Sequence, residues 1–379
     1  MRALEVYEDL TAGRTRFLRV EELCRLASEK GALPSVSDLA AEAGRPLREK
    51  QGLERQQGAF LAGILANPVA GAHLCHAMLL PHPQSREKFR EYDAKGEIDL
   101  GGAHLKRQGK AAVLTMKNPA YLNAEDEATL PGMELAVDLA LLDPATEVCV
   151  LRGAPVEHPK YKGKRLFGAG INLTHLYHGK IRYLWYLIRD LGFVNKFYRG
   201  LAHPHQHPEE GGIEKLWIAA VEGFAIGGHC QILLTMDYTI AAEDAYLTLP
   251  ARKEGIIPGA ANLRLPRFVG DRIARQAILA ERRIDCDSAE GRMICDYVVA
   301  PGAMDAEIAR LVEHVAGSGM VSAAGNRRAL RIAEEPLDTF RRYMAVYARE
   351  QAHCHFSPAL IANLEKFWMT ARPETRALS

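Results

Sequence analysis

The segment Trp217 to Leu234 (WIAAVEGFAIGGHCQILL) restricts the fold more than any other stretch of the chain. Its first five residues are an unbroken apolar run, the pattern of a buried strand. Ile232, Leu233 and Leu234 read as a buried helix, and Gly227-Gly228 makes the turn between the two. A strand that feeds a buried helix needs covering layers, so the segment demands an α/β core. Ala111 to Met116 (AAVLTM), Val148 to Leu151 and Tyr238 to Ala242 supply three further strands, with helical patterns between them. Asn118-Pro119 punctuates the first of these. Asn123 then stands where it can cap a helix running through Leu135, Val137 and Leu139.

The flanks differ in character. Before about residue 108 the chain reads as mostly helical: Leu18, Val20, Leu23, Leu26 and Ala27 recur at helical spacing, as do Phe60, Leu61, Ile64 and Leu65. From about 303 helical spacing returns, with Ile308, Leu311, Val312 and Val315 on one face. The expected organisation is therefore a helical N-terminal extension over 1–107, a core over 108–302 and a helical C-terminal region over 303–379. The extension carries no recognisable chemistry. Its expected role is to pack on the core or on another subunit.

Charge and composition exclude several classes of function. Lys plus Arg is 48 against 47 for Asp plus Glu, so the net charge is +1 and nothing calls for nucleic acid or an anionic membrane. No apolar run reaches the ~18 residues of a membrane span, and the start of the chain lacks a signal-peptide pattern. The expected location is the cytoplasm. The seven cysteines include no CxxC pair, which argues against a zinc site. His203, His205 and His207 alternate in a Pro-rich loop with no carboxylate partner, so no metal site is assigned.

Two glycine-bearing segments remain as candidates for chemistry. Phe167 to Leu173 (FGAGINL) lets backbone approach a ligand closely. Gly227-Gly228 opens a buried helix and presents free N–H groups at its positive end. Taken singly, each also fits plain chain reversal. Ala225 occupies a position a dinucleotide-binding glycine motif requires, and no phosphate-binding loop is present.

Taken together, FGAGINL, WIAAVEGFAIGGHCQILLTMD, AYLTLPARKEGIIPGAANLRLPRFVG and Ala277 to Arg283 resemble the crotonase (enoyl-CoA hydratase/isomerase) superfamily over about residues 108–320. The resemblance implies a spiral of ββα units, assembly as a homotrimer or hexamer, and an acyl-CoA substrate. It also implies an enolate whose oxygen is held by two backbone N–H groups, here those of Ile171 and Gly228. The hydratases of the superfamily use two glutamates to activate water. This chain has Gln231 and Ala251 at those positions, and neither can act as general acid or base.

YLNAEDEATLPGMELAVDLALLDP, HPKY, AGINLTHL, LIRDLG and KEGIIPGAANLRL resemble one branch more closely, and that likeness extends over nearly the whole chain. The branch consists of cofactor-free and metal-free dioxygenases of 3,5-dihydroxyphenylacetyl-CoA or related arylacetyl-CoA thioesters. CoA enters as part of the substrate and O2 as co-substrate. The likeness implies catalytic roles for Ile171, Gly228 and Gln231. It implies substrate contacts for Glu125, Arg189, Gln231 and Asn262. CoA contacts fall on His158, Pro159, Lys160, Tyr161, Ala169, Gly170, Asn172, Leu173 and Thr174. Asp126 and Glu127 read as helix-surface charges, Cys230 as core, and His229 as a packed histidine behind the site. A thioesterase or isomerase of the same fold, or a non-catalytic acyl-CoA-binding subunit, are the alternative functions.

Overall fold

The computed structural model describes residues 3–317 and 319–369. Residues 370–379, the end of the stretch assigned to the C-terminal region, lie outside the described residues.

Among the described residues, ten strands form two sheets. The strands are β1 (Glu97–Asp99), β2 (Ala103–Gln108), β3 (Ala111–Met116), β4 (Val148–Gly153), β5 (Leu216–Val221), β6 (Phe224–Ile226), β7 (Tyr238–Ala242), β8 (Tyr246–Thr248), β9 (Ile284–Asp285) and β10 (Tyr297–Val299). The larger sheet runs β1-β2-β3-β4-β5-β7-β10, and the smaller runs β6-β8-β9. β1, β2 and β3 pair antiparallel; from β3 to β10 the large sheet is parallel. The strands read from sequence are β3, β4, β5 and β7. All are nearly or wholly buried, as parallel strands covered on both faces must be.

The sheet starts before the change of character near residue 108. β1 and β2 fall in the stretch that reads as mostly helical. In β2 only Ala103 and Leu105 point fully inward while His104 and Lys106 do not, too short an alternation to stand out from its surroundings.

Helix Leu130–Leu142 follows β3. Asn123 does not cap it. Thr129 occupies the cap position, and Asn123 adopts a left-handed φ of 57°. Its side-chain amide donates to the Ala154 and Leu166 carbonyls, each at 2.8 Å. It ties together two loops that lead into the site.

One continuous hydrophobic cluster draws side chains from the N-terminal helices, the sheet and the C-terminal helices. The main joint is helix Leu337–His355 lying along helix Arg55–Ala66. Gly58 permits that approach, since a Cβ there would stand 2.7 Å from the Ala352 Cβ. Tyr183 fastens it by donating to the Ala348 carbonyl at 2.5 Å. The helix so held then leans on the core: Gln351 accepts from the Ile257 N–H at 2.9 Å, and Tyr343 donates to the Gly259 carbonyl. Helix Arg55–Ala66 and Tyr183 together thereby hold a C-terminal helix against the loop that walls the site.

Candidate active site

The two glycine turns pack on each other. The loop Gly168–Asn172 is hydrogen-bonded on one side to β6, with the Ile226 N–H donating to the Gly168 carbonyl at 3.0 Å. On the other side Glu125 donates its N–H to the Gly170 carbonyl at 2.7 Å and accepts from the Asn172 N–H at 2.8 Å. The loop is therefore a short strand added to the small sheet. Gly170 has φ 77°, and a Cβ there would sit 2.8 Å from the Ile226 carbonyl oxygen and 3.3 Å from the Gly228 nitrogen. Glycine is required for this contact, which sets the two turns edge to edge. Gly227, at φ 53°, makes the turn into helix Gly228–Leu233. Among the described residues, neither the Ile171 nor the Gly228 N–H donates to another protein group. Backbone donors are rarely left unpaired when buried, so the pair is available to an anionic oxygen.

Ile171 stands at the junction of two hollows. One is a groove of about 220 Å³ lined by Tyr121, His158, Ala169, Ile171, Asn172, Leu173 and Thr174. The other is a smaller hollow of only about 30 Å³ lined by Ile171, Trp185, Arg189, Gly228, Gln231, Glu254 and Tyr347, among others. Ile171, which carries one of the two free N–H groups, therefore lines both hollows, and Gly228, which carries the other, lines the smaller one.

Behind the turns lies a buried polar set. Glu125, Arg189, Asp190, His229 and Gln231 are each at most 5% exposed. Arg189 spends all its N–H groups inside the set. Two go to the Glu125 carboxylate at 2.8 Å each, and one to Asp190 at 2.7 Å. The rest go to the Gln231 amide oxygen at 2.6 Å and the Gly228 carbonyl at 2.9 Å. Gln231 returns a bond to Asp190 at 3.1 Å. A buried guanidinium is stable only when satisfied in this way. Its carbon also lies 5.4 Å from the Phe193 ring centre, a favourable cation–π approach. Burial pushes the Glu125 carboxyl up, but Arg189 and then His229 outweigh it and hold it below the ordinary value. At Asp190 burial wins over Arg189 and raises the carboxyl.

His229 is wholly buried, and its Nδ1 accepts the Gly170 N–H at 2.9 Å. That bond fixes the loop bearing Ile171 and leaves the ring proton on Nε2. Burial, aided by Arg189 and opposed by Glu125, depresses the imidazole to about 4, so it is neutral.

Several sequence expectations change here. Glu125 is not in a helix; it bridges to Ile171. Asp126 is no surface charge. It is 2% exposed, accepts from the Asn172 amide at 3.1 Å, and pairs with His175 at 2.9 Å. It is buried because it orders the loop that carries the free N–H. Glu127 reaches outward to Arg182 at 2.9 Å. Asn262 is exposed, lies beside Tyr343, and is absent from the walls of either hollow. Of the segment His158 to Tyr161, only His158 lines the groove. Tyr161 packs on Phe224 with ring centres 5.7 Å apart, Lys160 lies over the Tyr161 ring, and Pro159 starts the short turn that holds them. Gly170 supports the turn, while Ala169, Asn172, Leu173 and Thr174 line the groove. His203, His205 and His207 are exposed, and no cluster of three metal-ligating side chains occurs among the described residues. No single helix among those residues is long and apolar enough to cross a membrane.

Sequence reasoning missed Trp185, Tyr186, Glu254 and Tyr347. Trp185 stands four residues before Arg189 on the same helix, and that spacing could have placed them together. Tyr347 arrives on a helix from far along the chain and had no local signal.

The profile of the enoyl-CoA hydratase/isomerase family matches residues 106–351. A (3,5-dihydroxyphenyl)acetyl-CoA 1,2-dioxygenase from Amycolatopsis orientalis is 47% identical over 353 residues, covering 92% of this chain and 80% of the relative. A crotonyl-CoA hydratase from Syntrophomonas wolfei is 29% identical over 220 residues, covering 58% of this chain and 76% of the relative. In structure, an enoyl-CoA hydratase from Mycobacterium avium subsp. paratuberculosis superposes with a TM-score of 0.59 at 20% identity, covering 74% of this chain and 100% of that one.

Proposed function

The chain belongs to the enoyl-CoA hydratase/isomerase family, and we propose that it is a cofactor-free dioxygenase. In this reading it converts 3,5-dihydroxyphenylacetyl-CoA, or a related arylacetyl-CoA, and O2 to the arylglyoxylate and free CoA. One observation carries the reading. Two unpaired backbone N–H groups meet at a small hollow lined by Gln231, and the two positions at which the hydratases carry carboxylates hold that glutamine and the buried Ala251. The name of the 47% identical relative supports the substrate class.

The chemistry follows in four steps. The α-carbon loses a proton, and the enolate oxygen settles between the Ile171 and Gly228 N–H groups. An oxyanion donor of this kind is worth about 3–4 kcal/mol. The electron-rich α-carbon reduces O2 and bonds to it, giving a peroxide. The peroxide attacks the thioester carbonyl and expels CoA as thiolate. O–O cleavage with loss of the second α-proton gives the keto acid. Both oxygen atoms enter the product, and no external electron donor is needed. Trp185, Ile171, Ile256, Ile257 and Pro258 on the walls of the hollow limit the water near the peroxide. Arg189 has no spare N–H for a ring hydroxyl. Free acceptor positions on Glu125 and Gln231 are the available partners. The expected assembly is a homotrimer or hexamer in the cytoplasm.

Protein treated with EDTA and desalted is mixed with 3,5-dihydroxyphenylacetyl-CoA, and O2, free CoA and aryl acid are followed together. Equal consumption of O2 and release of arylglyoxylate is expected. CoA release without O2 uptake makes the protein a thioesterase. Activity that returns only with added metal overturns the cofactor-free reading.

A further inference from the structure

The route above needs a group that takes the α-proton. Carboxylates and an imidazole lie in or behind the smaller hollow, and most are already engaged. Glu125 is committed to Arg189 through two bonds. Asp190 accepts from Arg189 and Gln231. His229 uses its only lone pair on the Gly170 N–H. Burial holds the phenols of Tyr186 and Tyr347 in their protonated form.

Glu254 is different. It lines the same space as Gly227, Gly228 and Gln231. Its Oε2 comes within 4.0 Å of where a Cβ on Gly227 would stand, so it borders the turn that carries one oxyanion donor. Among the described residues its carboxylate has no hydrogen bond and no ion pair. It closes the short helix Ala251–Glu254, three residues after Ala251. That is one helical turn, so the two positions share a face. A carboxylate lost at Ala251 is thus replaced one turn further along.

Resting on the dioxygenase reading, we propose that Glu254 is the base that removes the α-proton. A Glu254 carboxylate oxygen takes the proton. The C–H electron pair becomes the enolate, and the charge moves to the oxygen held by Ile171 and Gly228. The resulting carboxylic acid gives its proton to solvent before the next turnover. The groups facing Glu254 are Lys253 on its own turn, Glu281 beyond the next helix, itself 3.4 Å from Arg252, and Tyr186 across the space. Burial, then the Glu281 charge, pushes the Glu254 carboxyl up to about 7 against the pull of Lys253. A base matched to neutral pH is the more effective one.

The test compares parent, Glu254→Gln and Glu254→Asp for O2 uptake with 3,5-dihydroxyphenylacetyl-CoA, CoA binding and the pH profile of kcat/KM. The parent should show an ascending limb near pH 7. Glu254→Gln should lose about 10²–10⁴-fold in rate, lose that limb, and bind CoA as the parent does. Glu254→Asp should keep a limb and part of the rate. A Gln variant that keeps its rate within tenfold, or keeps the limb, overturns the assignment. A parent that consumes no O2 overturns the dioxygenase reading itself, and the assignment falls with it.

Discussion

Arg189→Met removes the charge at the centre of the buried polar set while keeping most of the apolar stem. The guanidinium is 2% exposed and makes every hydrogen bond open to it. Removing one partner of such a buried pair costs about 3–5 kcal/mol, because the other charge is left uncompensated. The pH dependence gives the sharper test. In the parent, Glu125 sits below its ordinary 4.5, so its stabilisation is complete above that pH and fades as pH falls through the folded value. Without Arg189 burial dominates, and the folded carboxyl rises above 4.5. The variant then loses stability as pH rises past that value. The gap between parent and variant should be widest at pH 7.5 and narrow toward pH 4.5. Guanidinium chloride unfolding at both pH values reads it. Adding Glu125→Gln to the variant should recover about 2 kcal/mol at pH 7.5, a coupling within the range of contacting pairs. A loss below about 1 kcal/mol at pH 7.5, or one equal at both pH values, would refute this account of the set.

Gly170→Ala should lower kcat about 10²–10³-fold while CoA still binds, since the new Cβ would press on the Ile226 carbonyl and the Gly228 nitrogen; steady-state kinetics and calorimetry read the two. His229 is held at about 4 against an ordinary 6.5. The unfolded chain therefore binds the extra proton between those values, and stability falls as pH drops from 6.5 toward 4. His229→Gln should flatten that slope in denaturation midpoints measured across the range. Asn262→Ala should leave kcat/KM within about threefold, because its side chain is exposed outside both hollows.

The parts legible in the sequence were those with a local signature. The strands β3, β4, β5 and β7 are apolar runs with clear borders. The glycine turns mark themselves because only glycine tolerates φ values such as 77° at Gly170 beside packed backbone. The remaining strands have no such signature: most are two or three residues long, and their pairing is decided by the tertiary fold. Asp126 looked like a surface charge because burial of an acid depends on partners such as Asn172 and His175, which no local pattern reveals. Asn262 follows a recognisable turn, yet its helix points it outward. Tyr347 reaches the site because helix Leu337–His355 packs along helix Arg55–Ala66 and is hydrogen-bonded to the core through Tyr183 and Ile257, a long-range arrangement outside the reach of periodicity.

The central claim is that an enolate held by the Ile171 and Gly228 N–H groups reacts with O2 rather than with water. Turnover of 3,5-dihydroxyphenylacetyl-CoA under ¹⁸O2, with mass analysis of the aryl acid, tests it directly. The account predicts both ¹⁸O atoms in each arylglyoxylate, one in the keto group and one in the carboxylate. A carboxylate oxygen drawn instead from labelled water would contradict it, because it would mean that hydrolysis and not peroxide attack releases CoA.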